Sequence, residues 1–177
     1  MTSIITLMML TARPANTPRW SLPRGNPLVP SSWRATLLVK AGQLSDASRR
    51  LIEQGGLADR FIFIPDPTDE ELRSLYRRAA VLLFPSRHEG FGWPPLEAMA
   101  TGCPVVVSNT GSLPEVCGNA ALYASPTEPR EIAEAIASVL DDEAERRRLI
   151  ELGHHRARQF SWEESAARFI ELGARPG

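Results

Sequence analysis

The chain has 177 residues, 43% hydrophobic and 23% charged, which suits one globular domain with some chain left over for a tail. Its net charge of −1 gives no general pull toward nucleic acid, so nucleic acid is not an expected partner. Two cysteines, Cys103 and Cys117, are too few for a disulfide scaffold, and with three histidines they show no metal-ligand spacing; a reducing compartment and no structural metal are expected.

The charge is unevenly spread. Residues 1–45 contain Arg13, Arg19, Arg24, Arg34 and Lys40 and no acid, a local +5, so the remainder carries −6. Met1–Ala12 includes the apolar stretch Ile4–Leu10, which has no charged segment before it and is too short to span a bilayer. Residues 13–32 hold five prolines and no apolar period. On this reading residues 1–36 are a Pro-rich irregular tail and residues 37–177 the folded domain.

From residue 37 onward, short apolar runs alternate with helical patterns, the signature of a parallel sheet with helices on its faces. Leu37–Val39 reads as a strand and Ser45–Gln54 as a helix stopped by Gly55-Gly56. Phe61–Ile64 is the next strand. Thr68 and Glu71 form a capping box for a helix whose apolar face is Leu72, Leu75, Tyr76, Ala79 and Ala80. Val81–Phe84 is wholly apolar, as a strand buried on both faces should be. Pro94–Thr101 reads as a short helix closed by Gly102, followed by a strand at Pro104–Val107, a helical turn at Leu113–Val116 and a strand at Ala121–Tyr123. Three helices end the chain: Pro129–Leu140, the Arg/Glu-rich Asp142–Gln159, and one opened by a capping box at Ser161 and Glu164. The fold class expected is α/β, a Rossmann-like doubly wound parallel sheet.

The chemistry concentrates in Ser86–Pro104, immediately after the buried strand Val81–Phe84. Ligands of open α/β sheets bind beyond the carboxyl ends of the strands. Gly90 and Gly92 bracket Phe91, so the backbone there can approach a ligand closely. Pro94 and Pro95 suit a first helical turn whose positive end faces back toward the glycines. Glu89 lies before that helix and Glu97 in its first turn, so both are expected to face one crevice. A carboxylate accepts two hydrogen bonds from a vicinal diol such as a ribose or a hexose presents, which points to a nucleotide sugar.

E-G-F-G-W-P-P-L-E, residues 89–97, closely resembles the E-x7-E motif of the family 4 retaining glycosyltransferases, which have the two-domain GT-B architecture. Further pieces follow the same pattern in order: L-x-x-L-Y-R-R-A-A before Val81, P-S-R before the motif, G-C-P-V-V-V-S-N after it, S-L-P-E-V at Ser112–Val116 and F-S-W-E at Phe160–Glu163. The W-P-P variant resembles bacterial mannosyltransferase-type members. The match covers residues 37–173 and implies the C-terminal, donor-binding half of such an enzyme. It further implies Glu89 as the catalytic, sugar-side carboxylate, amides of Gly90, Phe91 and Gly92 on the donor sugar, and Glu97 with Leu96 and Lys40 at the nucleotide. The donor implied is a nucleoside diphosphate sugar, GDP- or UDP-linked. No cofactor or metal is expected, since cations of the protein and helix termini replace one in this architecture.

The sequence departs from that family in one place. The Arg and Lys that hold the diphosphate should follow a strand some thirty residues before Leu37, where the Pro-rich segment stands instead. Lys40, the only lysine, either contacts phosphate or simply ends its strand. The acceptor-binding half is also absent, so a separate N-terminal domain is an expected partner. The expected location is the cytoplasm, with at most peripheral contact at the inner membrane face. A non-catalytic nucleotide-sugar-binding remnant and an epimerase on the same architecture remain as alternatives; the W-P-P-L-E run speaks against the epimerase.

Overall fold

A computed structural model describes residues 6–11, 36–41 and 45–160. In chain order its elements are β1 (Thr6–Thr11), β2 (Thr36–Ala41), α1 (Asp46–Gln54), β3 (Phe61–Ile64), α2 (Asp69–Arg78), β4 (Val81–Phe84) and α3 (Trp93–Ala100). There follow β5 (Val105–Ser108), α4 (Leu113–Cys117), β6 (Ala121–Ala124), α5 (Pro129–Asp141) and α6 (Glu143–Arg158). The strands form one sheet in the order β3-β2-β1-β4-β5-β6.

Alternation along the strands builds two cores, one on each face. Leu82 and Phe84 of β4 and Val105 and Val107 of β5 pack on one face with Tyr76 of α2, Leu96 and Met99 of α3, and Leu113 and Val116 of α4. Val81, Leu83 and Val106 point the other way, onto Ile136 and Val139 of α5 and Leu149 of α6. Every residue of β4 and β5 is therefore buried, which explains why Val81–Phe84 and Val105–Val107 read as unbroken apolar runs. The molecule is an α/β, Rossmann-like domain of the expected class.

The helix signals hold where they were strongest. Thr68 accepts a hydrogen bond from the Glu71 amide at 3.3 Å, and the Glu71 carboxylate accepts one from the Thr68 amide at 2.8 Å, completing the capping box of α2. Those bonds hold the Glu71 carboxyl below its ordinary value. Their contribution is present at neutral pH and fades as pH falls through that depressed value. On α6, Glu143 pairs with Arg147 at 3.0 Å and Glu145 with Arg148 at 2.7 Å, both on the solvated face.

The sheet departs from the sequence reading at its centre. Residues 1–36 were expected to be irregular throughout, yet Thr6–Thr11 forms β1 and occupies the middle of the sheet. It runs antiparallel to both neighbours, pairing Thr6 with Ala41 and Thr11 with Thr36 on one side and Leu7 with Leu83 on the other. The pairs β2–β3, β4–β5 and β5–β6 are parallel. The physical reason is backbone pairing: without a strand in this slot, β2 and β4 would each leave a row of unpaired amides and carbonyls inside the fold. The run Leu7–Leu10 is apolar enough for a central strand, but its length invites the membrane question first. The Pro-rich residues 13–32 and the helix expected from Ser161 lie outside the described residues. No helix among the described residues is long and apolar enough to cross a membrane.

Candidate functional site

The segment that leaves β4 turns sharply before α3, and two glycines make the turn possible. Gly92, the N-cap of α3, has φ 114°, and a Cβ there would stand 2.8 Å from Leu113 Cδ2. Gly111, on the segment that follows β5, has φ 63°, and its Cβ would lie 3.2 Å from the Glu89 carbonyl oxygen. Two backbone segments thus meet so closely that a Cβ at Gly111 would crowd the Glu89 carbonyl, in a left-handed conformation that favours glycine. Hydroxyls join them: Ser112 donates to the carbonyls of Glu89 and Phe91, at 3.0 and 2.8 Å, and Ser108 donates to the carbonyl of Ser86.

Glu89 stands on this bend, half-buried. Its Oε2 is the one buried side-chain oxygen or nitrogen among the described residues with no hydrogen-bond partner. A buried acceptor left unpaired is costly until a donor reaches it. Phe91 stacks obliquely on Trp93, ring centroids 4.8 Å apart, and meets Phe160 edge-on at 5.7 Å. Trp93 nonetheless keeps 45% of its surface exposed.

Glu97 was expected in the first turn of its helix. Because Gly92 starts α3 at Trp93, one residue earlier than Pro94, Glu97 instead lies one turn in. Its carboxylate is exposed and accepts a hydrogen bond from the Tyr76 hydroxyl at 3.4 Å. Burial, followed by the charge of Glu97, raises the Tyr76 pKa strongly, so this hydroxyl remains a donor throughout the physiological range.

The other expected residues sit differently. Leu96 is 4% exposed and belongs to the core beneath α3, so its side chain is committed to packing. Lys40 is 2% exposed in β2, with its ammonium donating to the Ala41 carbonyl; burial pulls its pKa below the ordinary lysine value. A cavity of about 720 Å³ opens beside the bend. Gly90 and Phe91 form one wall, and Ser112, Glu115, Arg156 and Gln159 supply its polar groups. Glu89, Gly92, Leu96, Glu97 and Lys40 are not among the residues that line it. The two motif glutamates therefore flank the bend and α3, but this cavity does not bring them together.

Sequence reading missed Ser112, Arg156 and Tyr76. Arg156 Nε donates to the Val116 carbonyl at 2.9 Å and Nη1 to Gln159 at 2.6 Å, while the guanidinium lies 5.0 Å from the Phe160 ring centre. It thereby satisfies a carbonyl at the end of α4 and fixes that helix against α6. Arg156 carried no sequence signal beyond its place in a basic last turn. Tyr76 gave one, since a tyrosine on a buried helix face needs a partner for its hydroxyl.

Both cysteines are buried, and burial pushes the thiols of Cys103 and Cys117 up to about 12 from an ordinary 9.0. Neither should react with a thiol-specific disulfide reagent in the folded chain at pH 8, and both should react once the chain is unfolded in denaturant. Fast labelling of the native protein would contradict this burial. Among the described residues no group of three or more His, Cys, Asp or Glu could hold a metal ion.

The open α/β sheet thus carries a glycine-bracketed bend at the carboxyl end of β4, with a buried acidic oxygen on that bend. The family profile described as Glycosyl transferases group 1 matches residues 32–156. The chain belongs to that family. O-antigen chain mannosyltransferase B of Escherichia coli is 38% identical over 144 residues, 81% of this chain and 36% of that protein. The chain thus spans about a third or less of the length of the curated relatives it matches. Among solved structures, sucrose-phosphate synthase from Thermosynechococcus elongatus has a TM-score of 0.66 at 33% identity, over 76% of this chain and 36% of that one. The C-terminal domain of a glycosyl transferase group 1 family protein from Francisella tularensis has a TM-score of 0.57 at 28% identity, over 64% and 60%.

Proposed function

We propose that this chain is the donor-binding half of a retaining glycosyltransferase, which takes a nucleoside diphosphate sugar and, joined to an N-terminal acceptor-binding domain, transfers the sugar to a hydroxyl. The observation that carries this reading is the unpartnered buried oxygen of Glu89 on a glycine bend. A sugar hydroxyl is a neutral donor of the right size to satisfy it, and on this reading the amides of Gly90, Phe91 and Gly92 meet the other hydroxyls. Glu97, exposed and steadied by Tyr76, is then the ligand of the ribose diol.

Transfer passes through a transition state with oxocarbenium character. On this reading the Glu89 carboxylate faces the developing positive charge, and its burial would strengthen the interaction. The leaving diphosphate needs cations. Lys40, the nucleotide-side lysine of this reading, would have to leave its buried position to serve. Binding by this half alone should therefore be weak, and its turnover small, because sites of this kind are completed at a domain interface. The base is uracil or guanine, carried by a UDP- or GDP-linked sugar. No cofactor is invoked, and the working location is the cytoplasm, with membrane contact no more than peripheral.

Calorimetric titration with UDP- and GDP-sugars tests this. One of them should bind, and Glu97→Ala should weaken it roughly tenfold or more, through loss of hydrogen bonds to a charged acceptor. No heat with any nucleotide sugar would favour a defunct remnant of the family.

A further inference from the structure

The end of β5 and the segment after it present three hydroxyls at every second residue, Ser108, Thr110 and Ser112, and all three face carbonyls of the segment after β4. Ser108 donates to the carbonyl of Ser86, and Thr110 lies 3.4 Å from the carbonyls of Ser86 and Arg87. Ser112 is within 3.0 Å of the Glu89 carbonyl and 2.8 Å of that of Phe91. β5 ends at Ser108, and residues 109–112 are bends and turns, with Gly111 left-handed at φ 63° and Ser112 in the α region as the N-cap of α4, so the hydroxyls converge through this turn and not through strand alternation.

These bonds have a directional consequence. In a planar trans peptide the C=O and the N–H of the next residue point opposite ways. Drawing the carbonyls of Glu89 and Phe91 toward Ser112 turns the N–H groups of Gly90 and Gly92 away from it. One hydroxyl thereby sets two amides, and the peptide that carries the Glu89 side chain, in a single orientation. Gly111 and Gly92 permit the approach, and Ser112 fixes it.

We propose that Ser112 is a positioning residue for donor-sugar recognition: its hydroxyl holds the Glu89–Gly92 bend so that two amides and the Glu89 carboxylate are preset for the sugar. The proposal rests on the donor-binding reading above and deepens it, since it assigns Ser112 to the sugar and not to the nucleotide. Glu97 and its support from Tyr76 lie on other elements and should not depend on it.

Two measurements on the full chain separate the possibilities. In amide hydrogen exchange without ligand, Ser112→Ala should speed exchange at Gly90 and Gly92 several-fold and leave the slow amides of β4 and β5 unchanged; Ser112→Thr should restore the original rates. In calorimetry, Ser112→Ala should weaken the nucleoside diphosphate sugar about tenfold, the scale of one lost hydrogen bond in a site of this kind, with the bare nucleoside diphosphate unaffected. Unchanged exchange at the two glycines overturns the proposal, as does equal weakening of both ligands, which would mark a general structural role. If the parent chain binds neither ligand, the donor-binding reading fails, and the exchange result still decides whether Ser112 shapes the bend.

Discussion

Gly92→Ala is expected to destabilise the fold by about 2–5 kcal/mol, combining the cost of a left-handed backbone with that of an overfilled core. At φ 114° an L side chain is strained whatever space surrounds it, and here its Cβ would stand 2.8 Å from Leu113 Cδ2. Leu113 is fully buried against the sheet, so it cannot swing aside without disturbing α4. The measurement is the denaturant midpoint at constant slope. Gly90→Ala is the matched control: its Cβ would meet nothing within 4 Å, and stability should hardly change. Equal midpoints for the two variants would show that the bend is not pinned at Gly92.

Glu89→Gln has the largest expected effect on function. The substitution preserves size and removes the charge from a buried position, and half of the new side-chain terminus donates where it previously accepted. For the isolated chain, affinity for a nucleoside diphosphate sugar should fall about 10- to 100-fold, as expected for a hydrogen bond to a charged group, while the bare nucleoside diphosphate binds as before. Joined to an acceptor domain, the variant should lose about 100-fold or more of its transfer rate, because the carboxylate would act chiefly on charge developed in the transition state. A change confined to substrate affinity, with turnover untouched, would limit Glu89 to ground-state binding. A drop in melting temperature large enough to unfold the variant would show instead that the charge belongs to an internal network.

Much of the frame was legible because it obeys short-range rules. The apolar runs of β3 and β4, the Thr68–Glu71 capping box and the ion-paired face of α6 each depend on residues a few positions apart. The misreadings arose where distant segments decide the outcome. Thr6–Thr11 is a strand because β2 and β4 leave a slot between them, and nothing inside those six residues announces the slot. Its antiparallel direction points its carboxyl end away from the edge at which β4 and β5 end. The start of α3 moved by one residue because Gly92 adopts a φ that closes against Leu113, a contact across twenty-one positions.

The acids and glycines of the proposed site stand out in the sequence, since a motif spaced by one turn and one bend is local. The site's supports do not. Ser112 reaches Glu89 and Phe91 from the far side of β5, Tyr76 reaches Glu97 from α2, and Arg156 reaches α4 from α6. Lys40 illustrates the converse: a lone lysine at a strand end invites a phosphate role, while its burial within the sheet sets it apart from the cavity.

The central claim is that the bend between β4 and α3 holds a sugar and that α3 holds its nucleotide. A crystal of this chain soaked with the nucleoside diphosphate sugar that binds best in solution tests it most directly. The account predicts a sugar hydroxyl within hydrogen-bond distance of Glu89 Oε2, the amides of Gly90–Gly92 on neighbouring hydroxyls, and the ribose diol on Glu97. Density for the nucleotide elsewhere on the sheet edge, with Glu89 Oε2 still unpaired, would contradict it.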